Sequence, residues 1–217
     1  MPDNILVGLM VIVIGYLLGS ISFSRLVTRL VSPETDLKET LVPVEGTDAE
    51  IHMSAVSATS VRFKLGPRYG LLASFLDMAK VALPVAVFKF LFPDSPAEFL
   101  AAIGGLLGHN WPLYYKFEGG YGQSAIYGAL FVLEWTAVPV SFLGTGLLYL
   151  FLRKVHLASI GGVLILIPWF RFLGYGSAAL LYAGIASAAY FIRILPDFHA
   201  IRKIELQKSK LGSIDEI

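Results

Sequence analysis

The sequence predicts an all-α integral membrane protein of about seven transmembrane helices, N-terminus outside and C-terminus cytoplasmic. Three observations carry that prediction. First, 56% of the 217 residues are hydrophobic and the mean hydropathy is +0.70. Charged residues make up 15%, against roughly 25% in soluble domains. Second, apolar segments recur near 4–24, 69–92, 97–115, 122–135, 137–152, 157–172 and 174–195. Third, this arrangement puts the basic residues on one side. Arg25, Arg29, Lys38, Arg62, Lys64, Arg68, Lys116, Arg153, Lys154 and the C-terminal basic residues fall on inner loops. Asp94, Glu98 and Glu134 fall on outer connections, with Arg171 at one edge. An excess of Lys and Arg on inner loops sets membrane orientation.

The first apolar run, Ile5 to Leu18, is preceded by Asp3 rather than by a basic region, and it continues to Arg25. It reads as a retained span, not a signal peptide. The loop 31–67 is the one long polar segment and is expected to be cytoplasmic. Its first part, Ser32 to Thr40, is acidic and expected to be mobile; its second, Met53 to Ser60, is small and hydroxyl-rich. In the second span Asp77 and Lys80 stand three apart and share a helix face. Charges inside a span are expensive, so an internal ion pair that fixes helix packing is expected, a substrate-binding role being the alternative, with Lys89 snorkelling outward. The stretch 122–152 carries Glu134 and Pro139 near its middle. It is either two short spans or one kinked helix, and five spans would keep the same charge parity as seven. The tail 197–217 places Ile201, Ile204, Leu206 and Leu211 among basic residues, which fits a short surface helix or a solvated tail. The whole chain, 1–217, reads as a single polytopic membrane domain.

Composition also excludes. With no cysteine, disulfides and thiolate metal sites are ruled out. His52, His109, His156 and His199 show no metal-ligand spacing, so no metal or cofactor is expected. A net charge of +1 without a compact basic domain gives no nucleic-acid partner. Ser20, Ser22, Ser24, Thr59, His109, Ser124, His156, Ser159 and His199 all fall toward the inner side. A transporter places such groups at mid-membrane; one-sided placement fits an enzyme with an interfacial site. The most informative stretch is Gly108-His109-Asn110-Trp111-Pro112, followed by Phe117-Glu118-Gly119-Gly120-Tyr121-Gly122. Backbone N–H groups of such a glycine run can cradle a phosphate. The same residues also make plain turns.

These residues resemble a known family. Gly19-Ser20-Ile21-Ser22-Phe23 is similar to the Gly-Ser-x-Pro-x-Gly opening of the bacterial acyl-phosphate:glycerol-3-phosphate acyltransferases. Ala58-Thr59-Ser60-Val61, then Leu65-Gly66 and Gly70-Leu71-Leu72, resembles their Gly-Ala-Thr-Asn block and its sequel. Asp77-Met78-Ala79-Lys80 through Pro84 resembles Asp-x-x-Lys-Gly-x-x-Pro. Gly108-His109-Asn110-Trp111-Pro112 with Phe117-x-Gly119-Gly120-x-Gly122 resembles Gly-His-x-x-Pro and Phe-x-Gly-Gly-Lys-Gly. Leu157-Ala158-Ser159-Ile160 resembles a Ser-Leu-Ala-Ser-Ile segment. The likeness runs through nearly the whole chain, in order.

The resemblance implies a helical bundle in the bacterial plasma membrane, with its site at the cytoplasmic face among membrane lipids. It implies acyl transfer from acyl phosphate to glycerol 3-phosphate, giving lysophosphatidic acid for phospholipid synthesis. The implied substrate-binding residues are Thr59, Ser60, Arg62, Lys64, Arg68, Lys116, Gly119, Gly120, Tyr121, Gly122 and Ser124. His109, Ser159 and His199 are the implied catalytic candidates. His109 is either a hydrogen-bonding residue at a helix end or a base; His199 is a base only if the C-terminal helix folds back over the site. The sequence departs from the pattern where phosphate ligands belong. Tyr121 stands for the lysine of Gly-Gly-Lys-Gly, and His52-Met53-Ser54-Ala55-Val56-Ser57 for Gly-Ser-Gly-Asn-x-Gly. Ser60 replaces an asparagine, Phe63 an arginine, and His156 a serine; Asp197 and Ala200 replace a His-x-x-Asn pair. Two alternatives therefore stay open: a relative with a different acceptor, or an inactive lipid-binding or regulatory protein.

Overall fold

The computed structural model describes residues 5–44 and 47–212. Helix α1 (Ile5–Gly19) is apolar all round, and Ile5, Leu9 and Val13 are exposed on its outer face. An outward apolar face is what lipid tails require. The chain breaks at Ser20-Ile21-Ser22 and resumes as α2 (Phe23–Val31), whose Arg25 N–H donates to the Ser22 hydroxyl at 3.4 Å. The helical elements that follow are α3 (Ala58–Leu65), α4 (Pro67–Leu91), α5 (Ala97–Asn110), α6 (Gln123–Leu133), α7 (Ala137–Leu152), α8 (Val155–Leu164), α9 (Leu166–Phe172) and α10 (Ser177–Gly212). Among the described residues, three stretches are long and apolar enough to cross a membrane: Ile5–Val31, Pro67–Leu91 and Ser177–Ile204. The helices α5 to α9 are shorter. Outward-facing Phe90 is 84% exposed and Phe151 82% exposed, so apolar surface lies outside as well as inside this bundle.

Helices α1 and α5 pack closest, and their glycines explain why. Gly15 and Gly19 on α1 meet Ala101 and Gly105 on α5, and Gly104 and Gly108 on α5 meet the backbone from Ile12 to Ser20, each glycine pair being four residues apart. A Cβ at Gly15 would lie 2.5 Å from the Ala101 carbonyl oxygen, and one at Gly108 would overlap that of Tyr16. Small residues at this spacing let backbones touch in membranes. Tyr16 then donates to the Trp111 carbonyl at 2.8 Å, and Leu113 N–H donates to Ser20 at 3.3 Å. The seam thus fixes where the chain leaves α5.

The charged pair in α4 is the second tie. Lys80 Nζ lies 2.7 Å from Asp77, with both side chains buried, and donates to the Ile21 carbonyl at 2.5 Å. Asp77 accepts Phe23 N–H and the Ser24 hydroxyl, each at 3.4 Å. The pair fixes the break between α1 and α2 against α4. Lys89 reaches the Val132 carbonyl at 2.7 Å at an exposed edge.

One alternative is decided and two expectations change. The stretch 122–152 is two helices, α6 and α7, because Glu134 accepts the Thr136 N–H at 3.1 Å and turns the chain. The Thr136 hydroxyl and Tyr175 reinforce the corner from both sides. The long loop 31–67 is folded: β1 (Leu41–Pro43) pairs antiparallel with β2 (Glu50–His52), with Leu41 opposite His52. Val44, Ile51 and Met53 are buried in the main core, and that burial outweighs the acidic sequence around them. The tail is not a separate helix, since α10 continues through Pro196 to Gly212. Asp3, residues 213–217, and the side chains of His156 and of Leu211 lie outside the described residues.

Candidate functional site

The loop between α5 and α6 is built on close backbone approach. Leu113–Tyr115 make one 3-10 turn, then Lys116 and Phe117 take left-handed conformations at φ 54° and 63°. Non-glycine residues enter that region at a cost of about 1 kcal/mol or more each. The chain then doubles back on the end of α5. Gly120 N–H donates to the His109 carbonyl at 3.1 Å. A Cβ at Gly119 would lie 2.6 Å from the Asn110 carbonyl oxygen and would overlap that of His109. Gly122 has φ +97° and starts α6. The glycines are therefore needed for packing, and the Gly120 N–H is already used by the protein.

Arg193, on α10, holds the outer side of this loop. Its Nε donates to the Gly120 carbonyl at 3.0 Å and its Nη2 to the Gly119 carbonyl at 2.7 Å. Val56 N–H adds a bond to the Gly119 carbonyl at 3.1 Å. One helical turn further, Asp197 is buried at 2% exposure. It accepts the Ser54 N–H at 3.0 Å and the Tyr121 hydroxyl. Burial, and then the nearby Asp197 carboxylate, push the Tyr121 phenol well above its usual range. Tyr121 thus stays a neutral donor. Tyr121→Phe is expected to lower stability by about 1.5–3 kcal/mol, the usual cost for a lost bond to a charged group; thermal melting in detergent checks this.

Beside this network lies a cavity of about 430 Å³. Its polar lining is Thr59 and Arg62 from α3, Gln123 from α6, Lys154 and Ser159 around the start of α8, and Asp197. Met53, Phe63, Val155 and Ile201 supply apolar walls. A pocket with mixed walls can take a polar group and an acyl chain together.

The predicted residues separate accordingly. Thr59, Arg62 and Ser159 meet in the cavity, and Tyr121 reaches it through Asp197. Ser60 does not: it is fully buried, donates to the Ala55 carbonyl at 3.1 Å and accepts Ser57 N–H at 3.3 Å, which shapes the start of α3. Ser124 pairs with Ser74 at 3.0 Å between α6 and α4. Lys64, Arg68 and Lys116 are exposed and do not line the cavity. His109 is buried beneath Gly120, with Nδ1 3.9 Å from Asp77. His199 is exposed, its ring against Phe198. Arg193, Gln123 and Lys154 were not singled out from sequence. For Arg193 a signal existed, a charge inside an apolar span.

Comparison with known proteins decides the family. The profile of the glycerol-3-phosphate acyltransferases matches residues 9–203. The chain belongs to that family. A glycerol-3-phosphate acyltransferase of Aquifex aeolicus is 29% identical over 86% of this chain and 91% of its own length. One from Myxococcus xanthus is 32% identical over 70% of this chain and 72% of its own. The crystal structure of PlsY, an integral membrane glycerol 3-phosphate acyltransferase, in its glycerol 3-phosphate form is 28% identical. It superposes with a TM-score of 0.76, covering 91% of this chain and 92% of PlsY. Family membership agrees with the apolar helices: this is an integral membrane fold.

Proposed function

We propose that the chain is a membrane acyltransferase that moves an acyl group from acyl phosphate to glycerol 3-phosphate. The observation that carries this reading is the convergence of Thr59 and Arg62 from α3, Ser159 from α8 and Asp197 from α10 on one cavity beside the glycine loop. The relatives' names support it. In the reaction the acceptor hydroxyl loses its proton and its oxygen bonds to the acyl carbon. The acyl–phosphate C–O bond breaks, and the released phosphate takes up the proton. The donor is already activated, so positioning and charge neutralisation carry the rate. Arg62 and Lys154 are the cations for phosphate; Thr59, Ser159 and Gln123 orient it. Asp197 faces the acceptor hydroxyl end, because a carboxylate repels phosphate.

Three positions that depart from the family pattern are Ser54, Tyr121 and Asp197. Asp197 accepts both the Tyr121 hydroxyl and the Ser54 backbone N–H, and the pairing of Tyr121 with Asp197 supports a rebuilt polar site rather than a decayed one. The Asp197 carboxylate also favours a second reading, the same transfer to a less anionic polar acceptor. The remaining parts of the proposal concern topology. All seven apolar segments cross the plasma membrane, the N-terminus is outside, and the loop 31–67 and the tail face the cytoplasm with the site.

Arg62→Gln is the direct test. It is expected to lower kcat/KM for glycerol 3-phosphate about a hundredfold, the usual loss for one charge-stabilising donor. Unchanged kinetics would remove Arg62 from the site. Competition between glycerol 3-phosphate and glycerol as acceptors separates the two readings.

A further inference from the structure

A second cavity, of about 410 Å³, lies between α2 and the turn 33–38 and shares no lining residue with the first. Arg25, Thr28 and Arg29 line it from one face of α2, at i, i+3 and i+4. Lys38 lines it from the turn, with Asp36 as the one carboxylate of the lining.

Two donors here have no acceptor. Thr28 is only 4% exposed, and its hydroxyl has no hydrogen-bond partner among the described residues. The same holds for Nη2 of Arg25, whose nearest carboxylate oxygen, on Glu118, is 3.9 Å away. Buried polar groups are rarely left so. The guanidinium is otherwise held firmly, 4.7 Å above the Tyr115 ring. Glu118 meanwhile places its carboxylate 2.5 Å from Lys38. A carboxylate from the neighbouring loop thus already sits against two of the three cations.

An arginine fork, a second arginine, a lysine and a buried hydroxyl form a donor set suited to phosphate oxygens. The location suits a lipid as well as a soluble ligand, since Leu26, Leu30 and Val31 stand exposed on α2, Leu30 at 85%. We propose that this cavity is a second phosphate-binding site, in which Arg25, Thr28, Arg29 and Lys38 hold the phosphate group and displace Glu118. Glu118 directly precedes Gly119, so occupancy reaches the glycine loop.

Binding here needs no turnover and is tested apart from acyl transfer. Inorganic phosphate is titrated calorimetrically onto the detergent-solubilised protein. In parallel, binding of the protein in nanodiscs to phosphatidic acid is compared with binding to phosphatidylcholine. Thr28→Val, which keeps the side-chain shape, and Arg29→Gln are each expected to weaken one saturable binding event about tenfold. Glu118→Gln strengthens that event by removing the competitor, and Arg62→Gln leaves it unchanged. Variant-sensitive binding of inorganic phosphate identifies a soluble ligand; variant-sensitive binding of phosphatidic acid alone identifies a lipid headgroup. If no binding event of either probe responds to Thr28→Val or Arg29→Gln, leaving only binding that Arg62→Gln removes, the proposal is overturned, as it is if neither probe binds.

Discussion

Gly119→Ala is expected to abolish most acyl transfer, by about a hundredfold or more, the scale set by small misplacements of a reacting group. It should also cost about 3 kcal/mol of stability, as overpacking of a rigid site does. The added Cβ meets the carbonyl oxygens of His109 and Asn110, which are backbone atoms at a helix end and cannot rotate away. Relief requires the loop to lift off α5. That motion breaks the Gly120–His109 bond, both Arg193 bonds and the Val56 bond together. The matched control is Gly184→Ala, where a Cβ would meet nothing within 4 Å. Ala there is expected to be neutral or to stabilise by about 0.5–1 kcal/mol. Specific activity and thermal melting of the two variants, side by side, check this.

Asp77→Leu is expected to destabilise the bundle by about 3–5 kcal/mol, because it leaves the Lys80 ammonium buried without its carboxylate. It also strands Phe23 N–H and the Ser24 hydroxyl. The double variant Asp77→Leu, Lys80→Met removes both charges. It should recover much of that stability, since buried ion pairs often replace well with apolar residues. Melting temperatures of the two single variants and the double close the cycle. Additivity across the cycle would show that the pair is not coupled.

Which parts of the molecule were legible in the sequence follows from the range of the signal. Apolar segments are local, so the helices between 67 and 172 lie close to their expected bounds, whereas the first run breaks at Ser20 and α10 runs past 195 to Gly212. The ion pair at Asp77 and Lys80 is also local, a matter of helical spacing. The pairing of β1 with β2 was missed because Pro43 and the acidic flanks hide the alternation; only burial of Val44 and Ile51 in the main core makes it a sheet. The glycine loop was legible as a place of tight backbone. Its partners were not: the His109 carbonyl takes the Gly120 N–H, and Arg193 comes from more than seventy positions away. No periodicity encodes such a contact. The same distance in sequence separates Tyr121 from Asp197, and each looked like an isolated departure until the fold joined them.

We propose that the cavity beside the glycine loop is where the acyl group is transferred. The most direct test incubates the purified, detergent-solubilised protein with a long-chain acyl phosphate and radiolabelled glycerol 3-phosphate. Labelled lysophosphatidic acid is expected, formed in proportion to protein and lost in Gly119→Ala. A cooperatively melting wild-type sample that forms no labelled lipid would contradict the proposal.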